Sequence, residues 1–239
     1  MVCAAILAGG MGLRMGGEIP KQFIMLAGKP VILRSIEAFA NSGKIDKIYA
    51  AVSKEYEKYA AEIINQSVTG VEIVVGGKNR NETLYNVLKK ISAEREITEE
   101  DVILTHDAVR PFITDEIIES NINAARRFGA CSTVIPATDT IFESRDGEFI
   151  DTIPPRSEMF QGQTPQSFRI ADLTEFYDNM SGDEFEIYTD ACTVFIKNGK
   201  KPAMVMGSRD NIKLTYPEDL EKAEGIIARQ NAKGERINP

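Results

Sequence analysis

Residues 2–23, VCAAILAGGMGLRMGGEIPKQF, decide the fold because they join a buried strand to a loop rich in glycine. The run VCAAILA (2–8) is short and apolar, which is typical of a strand buried on both faces of a sheet. Five glycines follow it, with Arg14 among them and Lys21 after them. Glycines let the backbone approach a ligand closely, and the two cations indicate that the ligand is an anion. Phosphate is the first candidate.

Further apolar, β-branched segments recur along the chain, and helical patterns lie between most of them. This alternation predicts an α/β fold with a Rossmann-like, mainly parallel sheet and helices on both faces. The predicted strands are 2–8, 47–53, 71–76, 101–106, 130–136 and 201–207.

Two helices have clear boundary signals. Segment 114–129 has Thr114 as its cap and Gly129 as its stop, and its apolar stripe consists of Ile117, Ile118, Ile122, Ala125 and Phe128. Near the C-terminus, Thr215 and Glu218 have the spacing of a capping box, which predicts a last helix.

Residues 137–156 interrupt the α/β alternation. They form two alternating stretches around Asp146-Gly147, a strong signal for a β-hairpin. An isolated hairpin is marginally stable in water, so we expect this arm to pack against another surface, such as a second subunit of a homodimer. The chain is then one domain over 1–230 with this arm, and 231–239 form a frayed tail.

Composition excludes several function classes. The net charge of −8 argues against generic binding to nucleic acid or to anionic membranes. Three scattered cysteines and a single histidine do not form a zinc pattern and fit a reducing cytoplasm. The run 2–8 is too short to span a bilayer and lacks the basic flank of a signal peptide.

The glycine loop matches neither of two common phosphate-binding patterns. Met15 stands where the dinucleotide fingerprint needs its third glycine, and Glu18 follows Gly17 where the Walker pattern needs lysine. The remaining pattern is a strand, then A-G-G-x-G-x-R-M-G, then P-K-Q. Its backbone N–H groups can cradle a triphosphate while a cation at each end neutralises it; a flexible glycine turn with solvated charges is the alternative.

Four separated blocks resemble the nucleotidyltransferases that activate sugar and polyol phosphates, specifically the cytidylyltransferases that act on methylerythritol phosphate and ribitol phosphate. The blocks occur in the family's order over almost the whole chain: LAGGMGLRMGGEIPKQF (7–23), GGKNRNET (76–83), HDAVRPF (106–112), and QGQTPQSF (161–168) with DNIKLTYPEDL (210–220). The resemblance implies that a substrate phosphate attacks the α-phosphorus of CTP and releases pyrophosphate.

The resemblance also implies roles for individual residues. Arg14, Lys21 and Lys213 would be the catalytic cations, because two anions must meet and no covalent nucleophile is needed. Asp107 and Asp210 would hold one Mg²⁺. The implied nucleotide contacts are Leu7, Ala8, Gly9, Gly10, Met11, Gly12, Gly77, Lys78, Arg80, Thr83 and Asp107.

Within the GGKNRNET block, the backbone at Gly77 and Lys78 and the Thr83 hydroxyl would bind the cytosine edge, and Arg80 would brace the loop. Arg110, Asp139, Thr140 and Arg156 would bind the acceptor, the last two from an arm that crosses to the partner subunit. His106, the single histidine, is expected to have no catalytic role, because a phosphate monoester is already ionised near neutral pH.

The acceptor is less well defined. HDAVRPF and QGQTPQ, with ATDTIFES in the arm, depart from the methylerythritol pattern, which usually has a second alanine in the first block and leucine or a similar residue before T-P-Q. These departures favour ribitol 5-phosphate and a product, CDP-ribitol, used in teichoic-acid or capsule synthesis. 2-C-methyl-D-erythritol 4-phosphate, for isoprenoid synthesis, is the alternative. Two other classes of protein are a nucleotide-binding protein without turnover and an oxidoreductase. The retained charged groups argue against the first, and Met15 argues against the second.

Overall fold

The computed structural model describes residues 1–10, 19–188, 190–232 and 234. In this part of the chain the strands are β1 Val2–Ala8, β2 Met25–Leu26, β3 Lys29–Pro30, β4 Lys47–Val52, β5 Val71–Val75, β6 Val102–Asp107, β7 Ala130–Pro136, β8 Phe160–Arg169 and β9 Ala203–Met206. The helices are α1 Val31–Asn41, α2 Glu57–Ser67, α3 Arg80–Glu94, α4 Asp115–Phe128, α5 Ile170–Asp178, α6 Gly182–Ile187, α7 Ala191–Lys197 and α8 Glu218–Ala232. Short 3₁₀ helices lie at Lys21–Phe23, Lys54–Tyr56 and Arg156–Glu158.

Seven of the described strands form one sheet in the order β5-β4-β1-β6-β8-β7-β9. Every neighbouring pair is parallel except the two pairs that β8 makes with β6 and β7. The mainly parallel sheet predicted from the sequence is therefore confirmed, and all six predicted strands are present. The carboxyl ends of β1, β6, β7 and β9 lie at one edge of the sheet.

Strand β8 has no counterpart in the sequence prediction. It contains three glutamines and Pro165, which is a poor pattern for a central strand. Its polar side chains are nevertheless buried from Gln163 to Ser167. Apart from Oε1 of Gln166, which has no partner among the described residues, they hydrogen-bond to neighbouring elements, and a local hydrophobic pattern does not reveal such bonds.

The two faces of the sheet are covered by different helices, and the side chains of β1 point alternately to one face and the other. Val2, Ala4, Ile6 and Ala8 pack with α1, α2 and α4, whereas Cys3 and Ala5 pack with α3, α5 and α7. Helix α8 packs in a third cluster with Leu26, Val109 and Leu214.

Helix α4 begins and ends where the sequence predicts. The Thr114 hydroxyl accepts a hydrogen bond from the N–H of Ile117, and Gly129 ends the helix with φ of 84°. One member of the predicted stripe is misplaced: Phe128 is exposed, and the Arg127 guanidinium lies 4.8 Å from the centre of its ring.

The C-terminal helix is present, but the predicted capping box is wrong. Helix α8 begins at Glu218, and the Asp219 carboxylate accepts hydrogen bonds from the N–H groups of Thr215 and Tyr216, both at 2.9 Å. The helix continues to Ala232, so residues 231 and 232 of the predicted tail are helical. Of the tail beyond Ala232, the described part of the chain includes only residue 234.

The predicted arm, residues 137–156, reverses direction at the expected place but contains little regular pairing. The Asp146 carboxylate accepts from the N–H groups of Glu148 and Phe149, and the two sides meet in a single antiparallel bridge between Glu143 and Thr152. Several of its apolar side chains are exposed: Ile141, Phe142, Phe149, Ile150 and Ile153.

Helices long and apolar enough to cross a membrane are absent from the described ranges.

A buried polar network joins α4 to the two strands beneath it. Asn121 donates to the Thr133 hydroxyl on β7 at 2.9 Å and accepts from the Ser167 hydroxyl on β8 at 3.0 Å. The Thr133 hydroxyl in turn donates to the carbonyl of Pro165 at 2.7 Å. Because all of these groups are shielded from water, each depends on its partners in the network.

We expect Asn121→Ala to lower the free energy of unfolding by about 2 kcal/mol, because it leaves the buried Ser167 hydroxyl without its partner. Urea unfolding measures this change. Asn123→Ala is the matched control on the exposed side of the same helix and should stay within about 0.5 kcal/mol of the unsubstituted protein. Equal losses in both variants would contradict the network's role.

Candidate active site

A cavity of about 290 Å³ opens at the edge of the sheet where β1 and β6 end. Ligands of open parallel sheets gather beyond the carboxyl ends of strands, so this position is expected for a substrate site. The described residues that line it are Leu7, Ala8, Gly9, Gly10, Lys21, Gln22, Gly77, Lys78, Asn79, Arg80, Thr83, Asp107, Ala108, Val109 and Lys213.

This lining includes every predicted nucleotide contact that the structure describes, together with Lys21 and Lys213. Met11, Gly12 and Arg14 lie outside the described residues, and their predicted roles stay predictions. The described lining carries four cations and a single carboxylate, in a chain whose net charge is −8. The cavity is therefore a local concentration of positive charge.

Asp107, at the end of β6, organises these cations. Lys213 Nζ lies 2.8 Å from one carboxylate oxygen, Arg80 donates to the other, and Arg110 Nε lies 3.8 Å away. Burial alone would raise the pKa of Asp107, but the neighbouring Arg80 and Lys213 hold it well below its usual range. The side chain is thus a carboxylate at all ordinary pH values.

The GGKNRNET block turns from β5 into α3. Gly77 in this turn lies too close to a neighbouring side chain to be replaced by a larger residue. A Cβ added at Gly77 would lie 2.5 Å from the Glu82 side chain. Asn79 caps α3 by accepting from the N–H of Glu82 at 2.9 Å. This turn brings Arg80, the first residue of the helix, to Asp107.

Hydrogen bonds within this block differ from the roles that the resemblance implied. The Thr83 hydroxyl accepts from the N–H of Gly77 at 3.0 Å, and Glu82 accepts from the N–H of Lys78. Thr83 and Glu82 therefore brace the loop, whereas Arg80, predicted to brace it, pairs with Asp107. The N–H groups of Gly77 and Lys78 thus have partners inside the loop, and the predicted contacts of this block with cytosine stay predictions.

Lys21 and Gln22 bring the end of the glycine loop to the cavity. Lys21 Nζ donates to the carbonyl of Leu214 at 3.1 Å, one residue beyond Lys213. Gln22 is buried, and its amide donates to the carbonyl of Ala8 at 2.7 Å. The sequence pattern P-K-Q contains Gln22 but predicts no role for it.

His106 is held inside the fold by hydrogen bonds of both ring nitrogens. It is fully buried, with Nε2 3.0 Å from the carbonyl of Arg110 and Nδ1 3.1 Å from the Thr164 hydroxyl. Burial lowers the pKa of its ring to about 4, so the imidazole is neutral near pH 7. His106 is not among the described residues that line the cavity.

The four predicted acceptor contacts are not among the described lining residues. Arg110 is buried and donates to the carbonyl of Asn211 at 2.8 Å. Asp139, Thr140 and Arg156 belong to the exposed arm, where Arg156 donates to the carbonyl of Thr138 at 3.2 Å. Their roles stay predictions.

The predicted pair of metal ligands is not assembled in the described structure. Asp107 lines the cavity, whereas the half-exposed Asp210 pairs with Arg229 of α8 at 2.9 Å and is not among the lining residues described. In the described ranges, groups of three or more His, Cys, Asp or Glu side chains suited to a metal ion are absent.

A mainly parallel α/β sheet with a cationic, glycine-lined cavity at its strand ends defines a nucleotidyltransferase of the nucleotide-diphospho-sugar type. The family model described as IspD, 2-C-methyl-D-erythritol 4-phosphate cytidylyltransferase, matches residues 2–229. The chain belongs to this family of cytidylyltransferases.

Solved structures agree with this assignment. The chain is similar to 4-diphosphocytidyl-2C-methyl-D-erythritol synthase from Anaerococcus prevotii, with 27% identity, a TM-score of 0.80 and 96% of each chain covered. It is also similar to 2-C-methyl-D-erythritol 4-phosphate cytidylyltransferase from Francisella tularensis, with 25% identity, a TM-score of 0.79, and 94% of this chain and 98% of that chain covered. The Thermus thermophilus enzyme of the same name shares the fold at 22% identity and a TM-score of 0.71, with 94% of this chain and 98% of that chain covered.

Proposed function

We propose that this cytidylyltransferase transfers CMP from CTP to 2-C-methyl-D-erythritol 4-phosphate and releases pyrophosphate. The observation that carries the proposal is the cavity itself, which is lined by Lys21, Lys78, Arg80 and Lys213 together with one carboxylate and backbone glycines. The family match and the similar solved structures support this acceptor over ribitol 5-phosphate, which the sequence departures favoured.

Two of the departures that favoured ribitol phosphate also have explanations in packing. Gln163, before T-P-Q, is buried and donates its amide to the carbonyl of Ser208 at 2.8 Å. Val109 packs in the cluster of Leu26, Phe112 and Leu214. Val109 also lines the cavity, however, so ribitol 5-phosphate is retained as the second candidate acceptor.

The chemistry follows from charge. The acceptor phosphate attacks the α-phosphorus of CTP, the bond to the β-phosphate oxygen breaks, and pyrophosphate leaves. Lys21 and Lys213 neutralise the charge that grows on the phosphoryl oxygens in the transition state. Asp107 holds Arg80 and Lys213 in the cavity before substrate arrives, so these cations need little reorganisation during the reaction.

A single carboxylate fits a Mg²⁺ ion here, because this ion is usually bound by one or two carboxylates with phosphate oxygens and water. Asp107, whose carboxylate is ionised and lines the cavity, is the residue that would hold it. Mg²⁺ would offset part of the negative charge of the CTP phosphates. Asp210 is left out because its carboxylate pairs with Arg229.

The acceptor site is completed by a second copy of the chain. Large apolar side chains on residues 137–156 are exposed, among them Phe149 at 71%, and an arm held by one bridge gains stability by packing on a partner. Thr140 and Arg156 on this arm would reach the partner's acceptor phosphate. Three free cysteines support a reducing compartment, the cytoplasm, as the place of action.

With CTP and Mg²⁺, we expect pyrophosphate release to be faster with 2-C-methyl-D-erythritol 4-phosphate than with D-ribitol 5-phosphate, by about tenfold or more in kcat/KM. A coupled pyrophosphate assay measures both, and mass spectrometry identifies the product. Incubation without an acceptor is the control. A tenfold higher kcat/KM with ribitol 5-phosphate would make it the preferred acceptor, and absence of turnover with both compounds would reject both as acceptors.

Lys21→Ala and Lys213→Ala should each lower kcat by about 100-fold, because they act on charge that develops in the transition state. Equilibrium binding of CTP should weaken by less than about tenfold. Lys222→Ala, at an exposed position of α8, is the matched control and should keep full activity. A variant with near-native kcat would remove that lysine from the mechanism.

If the arm crosses to the partner, mixing inactive Arg156→Ala and Lys21→Ala proteins should restore some activity, because one site of the mixed dimer contains both residues. Mass measurement of tagged subunits verifies exchange. Mixing Lys21→Ala with Lys213→Ala is the control, because both residues line the cavity of one chain and no intact site can form. Verified exchange without recovery would contradict the crossing arm.

A further inference from the structure

The segment between β9 and α8, residues 207–217, carries Lys213 to the cavity. The side chains of Arg110 and Lys21 donate to its carbonyls at Asn211 and Leu214, and two backbone–backbone hydrogen bonds join it to other parts of the chain. The N–H of Gly207 donates to the carbonyl of Val134 at 2.8 Å, and the N–H of Leu214 donates to the carbonyl of Val109 at 2.9 Å. Between these positions lies a turn over residues 208–211, closed by the N–H of Asn211 and the carbonyl of Ser208. The position of Lys213 therefore depends on what holds this turn.

The amide of Gln163 on β8 joins both sides of the turn. Its nitrogen donates to the carbonyl of Ser208 at 2.8 Å, and its oxygen lies 3.3 Å from Nδ2 of Asn211. Asn211 also donates to the carbonyl of Thr164 at 2.9 Å. Gln163 and Asn211 are both buried, so water cannot replace a lost hydrogen bond without opening the structure.

Gly207 leaves the space that the Gln163 amide fills. A Cβ added at residue 207 would lie 2.3 Å from Oε1 of Gln163 and 2.7 Å from Cγ2 of Thr133. The φ of Gly207 is outside the left-handed region, so its backbone conformation does not require glycine. Close approach to Gln163 and Thr133 explains the glycine instead.

We propose that Gln163 and Gly207 form a latch that positions Lys213 against Asp107, so that Gln163 is a positioning residue for cytidylyl transfer. Gln163 is not among the described lining residues of the cavity and acts through the turn at 208–211. This role rests on the proposed function for its effect on turnover, but the latch itself is a property of the fold and can be measured without substrate.

The first test is Gln163→Met, which keeps the length of the side chain and removes its hydrogen-bonding amide. We expect kcat to fall about tenfold, because a misplaced catalytic group slows the reaction, while the KM for CTP changes less than about threefold. Gln161→Met is the matched control, the same substitution at an exposed position of the same strand, and should leave kcat unchanged. Thermal unfolding shows that both variants are folded.

Hydrogen exchange supplies a readout that needs no activity. In Gln163→Met, the amides of Asn211, Ile212 and Leu214 should exchange faster than in Gln161→Met. Unchanged exchange would overturn the latch, and faster exchange with unchanged kcat would overturn the positioning role. Failure of the unsubstituted protein to release pyrophosphate would reject the proposed function, while the exchange data would still decide whether the latch exists.

Gly207→Ala tests the other half of the latch. Alone, this substitution should lower kcat because the added methyl group displaces the Gln163 amide. In a protein that already carries Gln163→Ala, the same substitution should lower kcat by a smaller factor, since the amide is already absent. If the two substitutions change kcat independently, the proposal that Gly207 acts through Gln163 is wrong.

Discussion

The buried carboxylate of Asp107 is the interaction on which the site depends. Three cations approach it from three parts of the chain: Arg80 from the start of α3, Arg110 from the segment after β6, and Lys213 from the loop after β9. Like charges at this density repel one another, and the carboxylate offsets that repulsion before a phosphate arrives. The protein thus has a cationic cavity while its whole chain is acidic.

The cavity also depends on how closely backbone segments approach one another. Gly77 lies against Glu82, and Gly207 lies against Gln163, and in both cases a methyl group would occupy space that a polar side chain already fills. These side chains then hold backbone groups, the N–H of Lys78 in one case and the carbonyl of Ser208 in the other. Glycine and a neighbouring polar side chain form one structural unit at each position.

Much of the fold and of the cavity could be predicted because their signals are local. Alternating apolar strands and helices predict the sheet, and the glycine or charged motifs after β1, β5, β6 and β9 mark segments that reach the cavity. Hydrogen-bond partners could not be predicted in this way, since they depend on which segments approach one another. Thr83 and Arg80 are three residues apart, yet one braces its own loop and the other binds Asp107. Asp210 shares a motif with Lys213 but pairs with Arg229.

Strand β8 runs against its neighbours, and this reversal has a consequence for how such enzymes can change. Because β7 and β8 are adjacent and antiparallel, they can be joined by a connection of any length, whereas two parallel neighbours need a crossover. The connection at residues 137–159 leaves the sheet at the same edge as the cavity. Insertions or deletions there would alter the surface at this edge of the sheet without moving β1, β6 or the lysines that line the cavity. The surface at this edge of the sheet can therefore diversify while the strands and cations that form the cavity are retained.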